Sequence, residues 1–278
     1  NSIAAFYSVY TLKLLSRLDL INKRLVAYWF EQSDVTGEIY ESYLHYCYLC
    51  DSSGTSTAAC LATLKMLENQ GKINRDYALR FFRSNVNVKA SFFVDEVLDL
   101  LLAAEAAGLL NVINADDVVS VVSEAFSEYS YSTNIVKALY CYALVGKKNA
   151  VNYEFWLSKV EEYIKRELEY ALTDPELIGL YIVVCNLYNR KPIKEAVNAY
   201  WSIIDNTVLE ALSPRELFSL TLALSYLSLH VYSDIGHVEV EGKPMLGAKV
   251  TLKLVNIIRE NGRAVVHETK NTRYVFIG

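Results

Sequence analysis

Glycine and proline are scarce in this chain of 278 residues, at 11 and 4, and no two glycines are adjacent. Collagen-like and low-complexity architectures are excluded by that count. Phosphate-cradling loops are missing as well, because neither G-x-G-x-x-G nor G-x-x-x-x-G-K-[ST] occurs. Charged residues are few, at 21%, against 53% apolar, so the chain has more surface to bury than a disordered segment has. The five cysteines are an odd number and too few for a disulfide scaffold. No uninterrupted apolar run is long enough to cross a membrane. The longest stretch, Phe92 to Ile113, is broken by Asp95, Glu96, Asp99 and Glu105. A basic face is absent too. Residues 237–278 carry seven basic and four acidic side chains, which leaves 20 against 28, or −8, on the first 236. An acidic body argues against nucleic acid as a partner.

An initiating methionine is also missing. The chain begins at Asn1 in a helical pattern and stops at Gly278, directly after the strand-like Tyr274-Val275-Phe276-Ile277. This predicts a fragment of a longer protein, whose targeting segments need not lie within it.

What is present is a repeat, rich in tyrosine. Thr11-Leu12-Lys13-Leu14-Leu15 returns 52 residues later as Thr63-Leu64-Lys65-Met66-Leu67. At the same offset Ile21-Asn22-Lys23 returns as Ile73-Asn74-Arg75, and Trp29-Phe30 as Phe81-Phe82. Each unit reads as two helices, a first rich in Ala, Leu and Tyr and a second carrying an aromatic pair. The periodicity predicts further pairs at 97–107 with 115–126, 134–145 with 152–170 and 177–188 with 193–209, then a helix over 215–232 and an extra one over 39–50. Asp174-Pro175-Glu176 and Ser213-Pro214-Arg215-Glu216 read as capped starts with proline at the first helical position, and Lys191-Pro192 as a third such start. Pairs at this spacing stack side by side, in an open solenoid or a closed ring. First helices such as Phe6 to Leu18 are apolar nearly all round, which favours the ring.

Leu12-Lys13-Leu14-Leu15, Ile21-Asn22-Lys23, Ala27-Tyr28-Trp29-Phe30-Glu31-Gln32 and Gly37-Glu38-Ile39-Tyr40 together resemble a prenyltransferase and squalene-cyclase repeat. The resemblance is clear over residues 4–40, partial over 56–93 and only architectural from there to about 232. It implies a mainly α chain: an (α/α)6 toroid of about twelve helices in helical hairpins, whose inner helices line a central cavity. The chemistry of that family does not carry over. Its cyclases use Asp-x-Asp-Asp, and only Asp116-Asp117 stands here, at a helix start where a solvated cap is expected. Its protein prenyltransferases hold zinc in Gly-Gly-Phe repeats, and this chain has no Gly-Gly. Thioester toroids need Gly-Cys-Gly-Glu-Gln, whereas Cys47, Cys50 and Cys60 follow Tyr, Leu and Ala.

From residue 235 the period changes from 3.6 to 2, as in His237-Val238-Glu239-Val240-Glu241 and Lys249-Val250-Thr251-Leu252-Lys253-Leu254. This tail resembles the opening of an immunoglobulin-like or carboxypeptidase-regulatory-like β-sandwich, a module common in surface and secreted proteins. The expected domains are therefore a toroid over 1–234 and a partial β-module over 235–278. A toroid followed by β-domains is also the layout of ribophorin-type subunits of oligosaccharyltransferase, an analogy of order alone.

Candidate sites are few. Cys47 and Cys50, flanked by His45 and Asp51, form a C-x-x-C without the second pair a structural zinc would want or the βαβ setting of a redox motif, so they read first as buried thiols, second as a disulfide and third as a metal or redox site. The aromatic pairs Trp29-Phe30, Phe81-Phe82, Phe155-Trp156 and Tyr200-Trp201 read first as core between repeats and second as the wall of an apolar ligand pocket. Tyr7, Tyr10, Tyr142, Tyr181 and Tyr226 stand on first helices, as core or as a polar lining. His230 and His237 flank the helix-to-strand junction, and Glu161-Glu162 with Lys165-Arg166-Glu167 reads as a solvated face. No catalytic, cofactor or metal residue is assigned. The expectation is a non-enzymatic structural or interaction protein with a protein partner, part of a larger secreted or cell-surface protein, with a cytoplasmic location as the alternative. An isoprenoid-handling enzyme with a diverged site, with an apolar ligand in the central cavity, is the second reading. An open peptide-binding repeat is the third.

Overall fold

A computed structural model describes residues 2–32, 54–67, 94–127, 130–207 and 211–234, together with Leu79, Phe82, Arg83 and four short strands. The chain divides into two units, Asn1–Ser228 and Leu229–Gly278. The described residues are mainly helical. Eleven helices are seen: α1 (Ser2–Leu14), α2 (Lys23–Gln32), α3 (Gly54–Met66), α4 (Val94–Ala107), α5 (Ala115–Val122), α6 (Ser132–Leu144), α7 (Tyr153–Arg166), the single turn α8 (Leu168–Ala171), α9 (Pro175–Leu187), α10 (Lys194–Asn206) and α11 (Pro214–Asp234). In the second unit Glu239–Val240 pairs antiparallel with Lys243–Pro244, and Ile257–Glu260 with Arg263–Val266. The expected helix over 39–50 lies outside the described residues.

The helical boundaries follow from local chemistry. The first helices α1, α4, α6 and α9 end on a residue in the left-handed region: Ser16 (φ 56°), Gly108 (72°), Gly146 (72°) and Asn189 (56°). In each, the next amide reaches back across the last turn. Arg17 donates to the Leu12 carbonyl at 2.7 Å, Leu109 to Ala104 at 2.8 Å, Lys147 to Tyr142 at 2.8 Å and Arg190 to Cys185 at 2.7 Å. That pattern satisfies carbonyls the helix end would otherwise orphan. Six residues beyond Ser16, Gly108 and Gly146 stands an asparagine whose side chain caps the second helix. Asn22 accepts from the Leu25 amide at 3.1 Å, Asn114 from Asp116 at 3.0 Å and Asn152 from Phe155 at 3.2 Å. One connector is thus built three times from different letters.

The other starts are mixed. Asp174 accepts from the Leu177 amide at 2.9 Å with Pro175 at the first helical position. Ser213 and Glu216 bond reciprocally, at 3.2 and 2.7 Å. Lys191-Pro192 is different: α10 starts at Lys194 after Ile193 in extended backbone, so Pro192 ends the connector rather than opening the helix.

First helices pack on first helices. α1 meets α3, α3 meets α4, α4 meets α6, and α6 meets α9. α9 approaches α11 at Gly179, where a Cβ would stand 2.7 Å from the Ser219 backbone carbon. Phe218 of α11 packs against Tyr7 and Tyr10 of α1 in tilted arrangements, with ring centroids 5.1 and 5.0 Å apart. Second helices lie against the first helices: α5 contacts α4 and α6, α7 contacts α6, and α10 contacts α9. A first helix therefore has apolar neighbours on most sides, and Leu177 to Cys185 of α9 are buried without a break. The second helices bury one stripe only, as in α7, where Leu157, Val160 and Ile164 face inward. Tyrosine hydroxyls cross-link neighbouring helices by donating to backbone carbonyls: Tyr142 to Val119 at 3.1 Å, Tyr188 to Leu139 at 2.9 Å and Tyr200 to Leu220 at 3.0 Å.

Candidate functional site

The repeat register brings charge to one place. Counted back from the left-handed residue that closes each helix, Tyr7, Asp99 and Lys137 all stand nine positions earlier, from 16, 108 and 146. Asp95 and Glu176 both stand thirteen earlier, from 108 and 189. Equivalent positions on neighbouring first helices face one another, so lone charges set in apolar helices converge. Arg215, in the first turn of α11, completes the group.

Arg215 donates from NH1 to Asp95 Oδ1 at 3.1 Å and from NH2 to Asp99 Oδ2 at 2.6 Å, and its Nε lies 3.9 Å from Glu176 Oε1. Its guanidinium carbon stands 5.5 Å from the centre of the Tyr7 ring. Lys137 bridges Asp95 and Glu176, the latter at 2.8 Å. The Tyr7 hydroxyl donates to Asp99 Oδ1. Beside this group Thr133, at the same register as Asp95 and Glu176, donates to Asp174 at 2.6 Å. Five helices are tied by six side chains, and Arg215 and Asp95 are 120 residues apart in the chain.

Three carboxylates face two cations, a formal charge of −1 in a partly buried setting. Burial pushes the Asp99 carboxyl up to about 6, although Arg215 and the Tyr7 hydroxyl pull it down. Asp95 and Glu176 add to the rise by like-charge repulsion. Glu176 is raised by burial against the pull of Lys137. Burial works against the charge of Lys137, yet Glu176 and Asp95 outweigh it and hold its pKa above the usual value. Arg215 is raised by the same carboxylates. The ion pair thus favours the guanidinium while Asp99 remains uncomfortable, because burial costs the carboxylate more than one guanidinium returns. Burial also lifts the Cys141 thiol, which leaves it protonated and unreactive.

Both oxygens of Asp99 are engaged, one by Tyr7 and one by Arg215. Glu176 is held by Lys137 and Arg215. A general acid needs one lobe free for a substrate, and Asp99 has none. The arrangement acts as a clasp between helices.

The candidates named from sequence are distributed otherwise. Cys47, Cys50, His45, Asp51 and His237, and the side chains of Trp29, Phe30, Phe81 and His230, lie outside the described residues. Cys60, Cys141 and Cys185 are buried. Asp116 and Asp117 occupy the first turn of α5, where Asn114 is the cap, and Asp116 makes an exposed ion pair with Lys147 at 2.8 Å. The aromatic pairs divide: Tyr200 is fully buried, whereas Phe155 is 48% exposed beside a half-buried Trp156. Glu161 corrects the solvated-face reading. Its side chain is 12% exposed and accepts from Tyr181 at 3.1 Å and from Arg190 at 3.0 Å, because α7 lays that edge against α9 rather than solvent. The clasp itself went unread. Its signal was present as single charges in apolar helices at fixed distances before each connector.

Among the described residues, no group of three or more His, Cys, Asp or Glu is placed to hold a metal, and no helix is long and apolar enough to cross a membrane. The chain matches no known family model, no curated protein and no solved structure.

Proposed function

We propose that this chain is a non-enzymatic structural or interaction protein, built on a closed (α/α)6 toroid with a β-sandwich-like module after it, within a larger secreted or cell-surface protein. The observation that carries the reading is the clasp: the charges that converge on the first helices engage one another and leave no free carboxylate lobe on Asp99. Closure is supported by the contact of α11 with α1 through Phe218, Tyr7 and Tyr10, since an open row of pairs would leave those two ends apart. The surface location rests on the likeness of the tail to modules frequent in such proteins.

Two measurements test it. Spin labels at the exposed Ser8 of α1 and the exposed Ser225 of α11 should report one short, narrow distance distribution. A broad or long one, with an arc-like scattering profile, would favour the open repeat. Incubation with prenyl diphosphates of increasing length, with and without Mg²⁺ or Zn²⁺, should give no turnover. Turnover that vanishes in Asp99→Asn would replace the scaffold by an isoprenoid-handling enzyme.

A further inference from the structure

Helix α11 differs from the other first helices in what surrounds it. α4, α6 and α9 each lie against a second helix that follows them in the chain, α5, α7 and α10. No second helix follows α11 among the described residues, and the first unit ends inside it at Ser228. Its burial shows the consequence. Leu177 to Cys185 of α9 are buried without a break. In α11, Phe218, Ser219, Leu220, Ala223 and Leu227 are buried, Thr221, Leu222 and Tyr226 are half-buried, and Ser225 is exposed.

The remaining first helices hold together without it. α1 packs on α3, α3 on α4, α4 on α6 and α6 on α9, a continuous series in which α11 is not a link. A few long-range ties add α11 to that series. Arg215 reaches Asp95 and Asp99 of α4 and Glu176 of α9. Phe218 lies against Tyr7 and Tyr10 of α1, and Tyr200 of α10 donates to the Leu220 carbonyl at 3.0 Å. At Gly179, α9 presents bare backbone to Ser219. These ties fall within residues 215–220 and come from four helices, so losing one weakens the fit of the others. Segments with less buried apolar surface than their neighbours are the ones that open locally.

From this geometry we propose that α11 is a strap, which lifts from α1, α4 and α9 as one unit while the other helices stay packed, with Arg215 as its catch. Lifting withdraws the guanidinium and leaves Asp95, Asp99 and Glu176 with Lys137 alone, which keeps the lifted state scarce. It also uncovers the faces of Tyr7 and Tyr10 against which Phe218 packs.

Hydrogen exchange of the full chain, followed by mass spectrometry at pH 7 in urea below the unfolding transition, is the test. Amides of residues 218–227 should exchange with one shared urea slope, shallower than that of α6 and α9, and at least about tenfold faster. Tyr188→Phe separates lifting from global unfolding, because the Tyr188 bond to the Leu139 carbonyl joins α9 to α6 and survives when the strap is off. It should speed exchange in α6 and α9 about fivefold, the usual worth of one hydrogen bond, and leave α11 unchanged. Arg215→Met should speed α11 at least about a hundredfold. The lifted state is a minor one, so the spin-label distance that tests ring closure holds or fails independently. The proposal is overturned if α11 shares the rate and urea slope of α6 and α9, or if its protection fades gradually towards residue 227 with the Phe218 amide as slow as α6. Equal acceleration of α11 and α6 in Tyr188→Phe, or undiminished α11 protection in folded Arg215→Met, overturns it as well.

Discussion

Asp99 offers the sharpest quantitative test. Its carboxyl is held at about 6, against 3.8 in the absence of the fold, chiefly by burial, and the groups facing it are Tyr7, Asp95, Glu176 and Arg215. A carboxyl raised in the folded state binds its proton more tightly there than in the unfolded chain. Its contribution to stability is therefore complete below about 3.8 and is lost as pH rises through about 6. The full span corresponds to about 3 kcal/mol, of which about 2 kcal/mol is recovered between pH 7 and pH 4.5. Surface carboxylates titrate over the same range, so the informative quantity is the difference between parent and Asp99→Asn, in which all of them are shared. Urea unfolding followed by dichroism at half-unit steps from pH 4.5 to 7.5 supplies it. Relative to Asp99→Asn, the parent should gain about 2 kcal/mol on acidification, or about 4–8 °C in melting temperature for a unit of this size. Glu176, whose carboxyl is also raised, contributes in the same sense in both proteins. Parallel curves, or a parent that loses ground to the variant on acidification, would refute the view that burial outweighs Arg215 at this position.

Removing one member of the clasp should be worse than removing its charge altogether. Arg215→Met leaves Asp95, Asp99 and Glu176 facing one another with Lys137 alone, and should lower stability by about 3–5 kcal/mol in urea titrations at pH 7. Gly179→Ala drives a Cβ to within 2.7–2.9 Å of the backbone and hydroxyl of Ser219, and should cost about 1–3 kcal/mol by overpacking α9 against α11. Ser16→Gly relieves a left-handed residue at φ 56° and should stabilise by a few tenths to about 1 kcal/mol, read as a rise in the urea midpoint. Asn152→Ala removes the side chain that caps α7 and should cost about 1 kcal/mol in the same assay.

Helices and their ends were legible because the interactions that make them are local. Asp174-Pro175 and Ser213-Pro214-Arg215-Glu216 act within four residues, and their caps stand where the letters placed them. The offset of 52 was readable for the same reason in α1 and α3, where Thr11 and Thr63 are both buried, while residues 73–75 fall outside the description. The connector pattern was harder. Ile21-Asn22, Ile113-Asn114 and Val151-Asn152 share a function but not a spacing between repeats, so a single offset finds only the first. Pro192 misled because its fixed φ suits both a helix start and an extended connector, and only the chain before Ile193 decides between them.

By itself the sequence determined a mainly helical chain of paired helices, an acidic body and the absence of known catalytic signatures, since all of these are sums over letters or contacts within a few residues. Tertiary structure alone decided which charges meet. Asp95, Asp99, Lys137, Glu176 and Arg215 are ordinary surface residues by type, and Glu161 reads as part of a solvated face. They become partners, partly or fully buried, only because the helices stack in register and bring residues up to 120 positions apart within hydrogen-bonding distance. Coulomb interactions act through space and not along the chain, and their strength depends on how much water the neighbouring helices exclude.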